Sequence, residues 1–203
     1  VDSSLEAVEE ILSALLDISR LDANALVPEL HQFRIDVLLQ SLQTEYAPAA
    51  AKRGLMLKTM PCSLAVETDR KLLRRVLQNF ISNAIKYTRS GRILVGCRRK
   101  GDMLRIEVHD TGVGISKEQQ GEVFEEFRRL GGENGGAPGL GLGLSIVRRI
   151  AEILGSRVTL QSQPGRGSMF ALEVPITSIA IPRAQEAPPR GRLPAGLGGV
   201  SHV

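Results

Sequence analysis

The chain has 203 residues, 42% hydrophobic and 24% charged, with a formal net charge of +4, enough for one well-cored domain with an appendage. No apolar run reaches the ~18 residues of a membrane span, and acidic residues near the start replace the basic opening of a signal peptide. Cys62 and Cys97 lack metal-ligand spacing and read as free thiols of a reducing, cytoplasmic compartment.

Charge is unevenly spread. Residues 1–22 hold six acids against one base and 176–203 hold three bases against one acid, leaving +7 on the middle of the chain. That excess suits a polyanion such as a triphosphate. With no Trp, two Tyr and five Phe, the chain lacks an aromatic platform for single strands, which argues against nucleic acid as a partner.

In chain order, residues 2–22 read as one helix, with Leu5, Val8, Leu12 and Leu15 spaced as the seam of a bundle or coiled coil. So short a helix needs a partner, either its own domain or a second copy. A strand is expected over 33–37 and a helix over 37–53. Residues 55–60 and 63–67 are predicted as paired strands around Pro61. Asp69 caps a long helix through Tyr87 whose buried side carries Leu72, Leu73, Val76, Leu77, Phe80, Ile81 and Ala84. Residues 93–99 and 103–109 alternate around Lys100-Gly101-Asp102, a hairpin signal. Short helices are predicted over 118–127 and 145–154, the second ended by Gly155. A closing hairpin over 158–161 and 169–174 turns at Pro164-Gly165-Arg166-Gly167. The order implies an α/β (α+β) fold, a two-layer sandwich of a mixed sheet with helices on one face. From about residue 177 onward Pro, Gly and Arg dominate, and 177–203 read as a disordered tail or linker.

Three stretches carry chemistry. Asn79 and Asn83 lie one turn apart in an otherwise apolar helix stretch. Neutral oxygens suit Mg²⁺ when phosphates supply the charge; the alternative is ordinary helix surface. Lys86 can reach a phosphate and Tyr87 can lie against a purine face. Asp110 ends an alternating strand before Thr111-Gly112-Val113-Gly114, where a carboxylate can accept from an exocyclic amine or merely start a turn. Gly139-Leu140-Gly141-Leu142-Gly143-Leu144 runs into a helix, offering backbone N–H groups to phosphate or a close helix–sheet contact. The glycine-rich loop before it, 130–138, is suited to ordering over a nucleotide.

In order and spacing these stretches resemble the N, G1 and G2 boxes of the ATP-binding domain of sensor histidine kinases, a Bergerat-fold domain. The resemblance implies ATP and Mg²⁺ as ligands, with Asn83 as the metal-linked residue. Asn79, Lys86, Tyr87, Asp110, Gly112, Gly114, Gly139, Gly141, Leu142, Gly143 and Leu144 would line the nucleotide site, and Asn79, Asn83 and Lys86 would carry the transfer. Phe124-Glu125-Glu126-Phe127-Arg128-Arg129 resembles the F box, where Arg128 reaches phosphate or is simply solvated. Ser168, in Gly165-Arg166-Gly167-Ser168, resembles the hydroxyl residue that supports the adenine pocket. Residues 15–22 resemble the second helix of the dimerisation domain. The implied organisation is a dimerisation helix over 1–26, an ATP-binding catalytic domain over 27–176 and the tail.

The gyrase, Hsp90 and MutL type of this fold carries Glu at position 79. Here Asn79 cannot take a proton, which favours transfer to a protein acceptor over hydrolysis. Among His31, His109 and His202 none sits in the expected His-Glu/Asp-x-Arg-x-Pro pattern, so the acceptor histidine is expected outside this chain. The implied function is ATP-dependent protein-histidine kinase activity with relay to a response regulator receiver domain. A homodimer through the N-terminal helix is implied for the full-length protein, which membrane segments elsewhere can anchor. A degenerate nucleotide- or partner-binding module and an ATP hydrolase of the same fold are the alternatives.

Overall fold

The computed structural model describes residues 26–125 and 141–177. The predicted N-terminal helix, the tail beyond 177, the glycine-rich loop and Arg128, Arg129, Gly139 and Leu140 lie outside the described residues.

The described chain runs β1 (Leu30–Arg34), α1 (Ile35–Lys52), β2 (Leu55–Thr59), β3 (Ala65–Asp69), α2 (Arg70–Tyr87), β4 (Gly91–Lys100), β5 (Met103–Asp110), α3 (Lys117–Gln120), α4 (Gly143–Ile153), β6 (Arg157–Gln163) and β7 (Gly167–Pro175). Five strands form one sheet in the order β2-β4-β5-β7-β6, with β2 parallel to β4 and the remaining pairs antiparallel. Alternation separates its two faces. Leu104, Ile106 and Val108 of β5 stand beside Val174, Leu172 and Phe170 of β7 and join the core with α1, α2 and α4. The residues between them carry charge: Arg105 pairs with Glu107 at 2.8 Å and Glu173 at 3.2 Å, Lys100 with Glu173 at 3.1 Å and His109 with Glu107 at 2.9 Å. Burial would raise the carboxyls of Glu107 and Glu173, but the hydrogen bonds from their basic partners outweigh it and hold both below the ordinary range. The result is the expected two-layer sandwich.

The prediction that 55–60 and 63–67 pair with each other is corrected. β2 pairs with β4, and β3 pairs antiparallel with β1 in a separate two-stranded sheet. The 60–64 link holds Pro61 and no glycine, so it does not fold back as a tight hairpin turn; it carries the chain from one sheet to the other. Met60 N–H donates to Val95 O, extending β2 along β4 before the chain leaves. β1 starts earlier than predicted, because residues 30–32 pair with 67–69 of β3 despite a mostly exposed pattern. His31 stands there, on an exposed strand opposite Thr68.

α2 forms as its sequence directs. The Asp69 carboxylate accepts from Lys71 N–H at 2.8 Å and Leu72 N–H at 3.0 Å, a full N-cap. Leu73, Val76, Leu77, Phe80, Ile81, Ala84 and Ile85 then face the core, and Phe80 stacks on Phe170 at 5.4 Å between ring centroids. This one helix runs from Asn79, which faces Gly143, to Tyr87, whose carbonyl meets the backbone after β5. Replacing Phe80 by Ala removes a fully buried ring and is expected to cost about 3–5 kcal/mol in urea unfolding.

Cys62 and Cys97 are free thiols, as expected. The Cys97 thiol hydrogen-bonds the Cys62 sulfur and pulls the Cys62 thiol down to about 6, while the same contact and burial push Cys97 up. Iodoacetamide at neutral pH is therefore expected to label Cys62 before Cys97. Peptide mass mapping reads the order, and Cys97→Ala is expected to slow labelling of Cys62 by returning its thiol toward the ordinary range.

Candidate functional site

Three segments meet where β5 ends. Asp110 is paired with Ile93 on β4, and its Oδ1 accepts from Gly112 N–H at 2.8 Å and Ser168 N–H at 3.2 Å. One carboxylate oxygen is thus held by two backbone amides of its own protein. Burial raises the Asp110 carboxyl above the ordinary aspartate value, and those two amide bonds only partly offset it. A carboxylate that is desolvated, oriented and anchored through one oxygen has the other available to accept from a ligand.

The turn after Asp110 is possible only with glycine. A Cβ on Gly112 would lie 2.6 Å from Tyr87 O and 2.8 Å from Asp110 Oδ1. Gly114 has φ +70° and Gly167 φ +92°, in the region that side chains rarely adopt. Cβ atoms there would overlap Gln163 O and Asp110 O respectively. Val113 N–H donates to Tyr87 O at 3.3 Å and Gly165 N–H to Val113 O at 2.8 Å. Backbone from α2, the 110–115 turn and the β6–β7 hairpin is consequently in mutual contact.

The second half of the site lies further back along α2. Asn79 Nδ2 donates to Arg75 O at 2.9 Å, turning its Oδ1 toward Gly143, where any Cβ would collide with it. Gly143 opens α4, which has no side-chain N-cap bond, so first-turn N–H groups remain available to an anion beside Asn79. Leu142 and Leu144 belong to this stretch, but Leu142 is 3% exposed and Leu144 packs against the core. Only their backbone can serve a ligand. Asn83 is half-buried, and its side-chain carboxamide makes no hydrogen bond to a described residue. Lys86 Nζ sits 5.4 Å from the Tyr87 ring centroid. Asn79 and Tyr87 are eight residues apart on one helix, about 12 Å, a span suited to a base at one end and phosphates at the other.

The structure thus gathers Asp110, Gly112, Gly114, Tyr87 and Ser168 at one end and Asn79, Gly141, Leu142, Gly143 and Leu144 at the other, with Asn83 and Lys86 on α2 between. Arg128 and Gly139 lie outside the described residues. Sequence reading missed Ser162 and Gln120. Ser162 Oγ accepts from Ile115 N–H at 2.7 Å, and Gln120 Nε2 donates to Ile115 O at 3.0 Å and Ser162 O at 2.9 Å. The only local signal was their polarity beside glycine-rich turns, which any surface residue shares.

No group of His, Cys, Asp and Glu able to hold a metal occurs among the described residues. A cation here would be held by one carboxamide and by the ligand's own oxygens, which suits Mg²⁺ on phosphates. No helix among the described residues is long and apolar enough to cross a membrane.

Residues 68–178 match the family described as histidine kinase-, DNA gyrase B- and HSP90-like ATPase. The chain is 32% identical over 176 residues to the aerobic respiration control sensor protein ArcB of Escherichia coli K12, covering 84% of this chain and 23% of that protein. It is 34% identical over 195 residues to the sensor protein GacS of Pseudomonas syringae, covering 92% of this chain and 21% of that protein. The chain spans about a fifth to a quarter of the curated relatives it matches. A crystal structure of full-length ShkA in complex with AMPPNP superposes with a TM-score of 0.75 at 29% identity, over 87% of this chain and 38% of that one.

Keeping a charge at Asp110 has a stability consequence. A carboxyl raised in the folded state holds its proton at pH values where the unfolded chain has released it. Stability therefore falls as pH rises through that interval. Asp110→Asn is expected to raise the melting temperature of the ligand-free chain at neutral pH, and the gain is expected to vanish as pH falls through the ordinary aspartate range. Thermal melts across pH check both signs.

Proposed function

The chain belongs to the histidine kinase-, DNA gyrase B- and HSP90-like ATPase family, and from that premise we propose that it is the ATP-binding catalytic part of a two-component sensor histidine kinase. The observation that carries this reading is the pairing along α2 of an anchored, desolvated carboxylate at Asp110 with Asn79 against the uncapped start of α4. Adenine donates its amine to the second oxygen of Asp110, beneath Tyr87 and beside Ser168, over backbone kept close by Gly112 and Gly114. The phosphates lie on the N–H groups of 141–144, with Lys86 offering a charge. Gly139 and Arg128 are proposed to complete the phosphate end.

Asn79 and Asn83 present carboxamides to the phosphate chain. Mg²⁺, held through Asn83 and phosphate oxygens, would neutralise charge on the transferring group. Asn79 orients but takes no proton, so attack comes from a nucleophile brought by the acceptor. The chain's own residues position the γ-phosphoryl group, exclude water around it and stabilise its charge, the main contributions that such transfers require. The acceptor is a histidine outside this chain, and the relay passes from it to an aspartate of a receiver domain. Residues 1–26 are proposed as the second dimerisation helix, 27–176 as the catalytic domain and 177–203 as a linker, in a cytoplasmic part of a homodimeric protein. The similarity to ArcB and GacS supports the sensor-kinase reading, and ShkA with AMPPNP supports the nucleotide.

Calorimetric titration with AMPPNP, with and without Mg²⁺, tests the reading. Binding is expected in the micromolar range, weakened at least tenfold by Asp110→Asn, the loss of one charge-assisted bond. Asn83→Ala is expected to remove the gain from Mg²⁺ and to weaken binding of the bare nucleotide by much less. An added histidine-bearing dimerisation domain should then acquire radiolabel from γ-labelled ATP. Phosphate release without any acceptor would instead identify a hydrolase, and no binding at all would leave a degenerate module.

A further inference from the structure

The two cysteines take no part in the nucleotide site, and the fold brings them together. β2 runs parallel to β4 with Thr59 beside Val95, and Met60 N–H on Val95 O extends that pairing by one residue. Cys62 and Cys97 each stand two residues beyond this bond, one on the link that leaves the sheet at Pro61 and the other on β4. Both pack against the same core while keeping part of their surface exposed, and the Cys97 thiol donates to the Cys62 sulfur. The chain has two cysteines in all, so each is the other's sole intrachain partner for a disulfide.

Their surroundings divide two roles between them. The hydrogen bond from Cys97 holds the Cys62 thiol down to about 6, helped by the Leu64 amide and the Arg34 charge and opposed by burial and the Asp36 charge. At neutral pH Cys62 is therefore largely thiolate, the nucleophilic form. The same contact, with burial and the Cys62 charge, keeps Cys97 protonated. Two of those causes need a negative Cys62. Oxidation of Cys62 to the neutral sulfenic acid removes that charge, and with it much of what holds the Cys97 proton. A sulfenic sulfur beside a thiol newly able to release its proton is the arrangement that closes to a disulfide.

We propose that Cys62 and Cys97 are a peroxide-reactive pair that closes to an intrachain disulfide, with Cys62 attacking the oxidant and Cys97 resolving the product. First, the Cys62 thiolate attacks one oxygen of hydrogen peroxide. An S–O bond forms, the O–O bond breaks, and the departing hydroxide takes a proton from solvent to become water. Then the Cys97 sulfur attacks the Cys62 sulfur. An S–S bond forms, the S–O bond breaks, and the departing hydroxide takes the Cys97 proton as a second water. The two sulfurs lose two electrons in all and the peroxide gains them. The new bond ties the 60–64 link, which carries the chain from one sheet to the other, to the strand whose Ile93 is paired with Asp110.

The test treats the reduced full chain with hydrogen peroxide at neutral pH, blocks remaining thiols with N-ethylmaleimide and maps peptides by mass without reductant. Wild type is expected to yield one peptide pair joined through Cys62 and Cys97, on a chain lighter by two hydrogens and not cross-linked to a second copy. Cys97→Ser keeps a hydrogen-bond donor but cannot resolve, so it is expected to stop at a Cys62 sulfenic acid that dimedone traps. Cys97→Ala, which lacks the donor, is expected to give that adduct several-fold more slowly. Cys62→Ser is expected to slow oxidation of Cys97 by about tenfold or more, since a protonated thiol is a poor nucleophile. Recovery of both wild-type thiols as maleimide adducts, under peroxide that oxidises free cysteine, would overturn the proposal. So would a disulfide between two chains in place of the internal one, or oxidation of Cys97 in Cys62→Ser as fast as in wild type.

Discussion

Everything at the site depends on how closely the backbone at the end of β5 approaches the start of β7. Asp110 O occupies the space that a Cβ on Gly167 would need, and Gln163 O occupies that of Gly114. These are steric conditions set by main-chain atoms, which cannot rotate away as a side-chain tip can. Because the two segments touch, Ser168 N–H reaches Asp110 Oδ1, and a carboxylate gains an amide partner that its own turn does not supply. With Gly112 N–H that partner saturates one oxygen, and the burial that makes this contact possible also raises the cost of the charge. A binding group is thereby assembled from a strand end, a turn and a hairpin far apart in sequence. The fold accepts a desolvated carboxylate there, and that choice makes sense only if a ligand supplies the missing donor.

The same logic explains why α2 is the organising helix. Its apolar side, from Leu73 to Ile85, is buried continuously, so its rotation about its own axis is fixed by the core. With the rotation fixed, the polar positions Asn79, Asn83, Lys86 and Tyr87 are also fixed relative to the sheet. Asn79 then meets Gly143, and Tyr87 O meets the Gly112–Val113 backbone. The core therefore sets the distance between the two ends of the site. A core substitution such as one at Phe80, which lies next to Asn79 and stacks on Phe170, acts on stability and on site geometry together.

Much of this was legible in the sequence because it was local. The Asp69 cap, the apolar side of α2 and the turn at Lys100-Gly101-Asp102 each depend on neighbours in the chain, and composition reports on those directly. What sequence reading missed was non-local. The strands flanking Pro61 look alike as isolated apolar runs, yet β2 joins β4 and β3 joins β1. Strand partnership is decided by burial on both faces and by where the chain travels next. β1 escaped in its first half because Leu30, His31 and Gln32 are exposed, leaving no alternation to read. Ser162 and Gln120 escaped for a related reason: their roles are defined by Ile115, brought to them by the sheet.

The charged face of the sheet shows what the site is not. Arg105, Glu107, Glu173, Lys100 and His109 form a network in which each acid is held ionised by basic partners. Asp110 stands one residue further along the same strand, on the other side of the pleat, where amides replace cations as its partners. The alternation of a single strand therefore separates two treatments of a carboxylate. On one face the acids are neutralised by fixed charges and serve the sheet. On the other the acid is oriented by dipoles alone, keeps its charge at a cost to the free protein, and has one oxygen open to a donor. A cation at that position would stabilise the fold and compete with the ligand. The absence of an ion pair on Asp110 among the described residues leaves the strand end free to take the role in binding proposed for it.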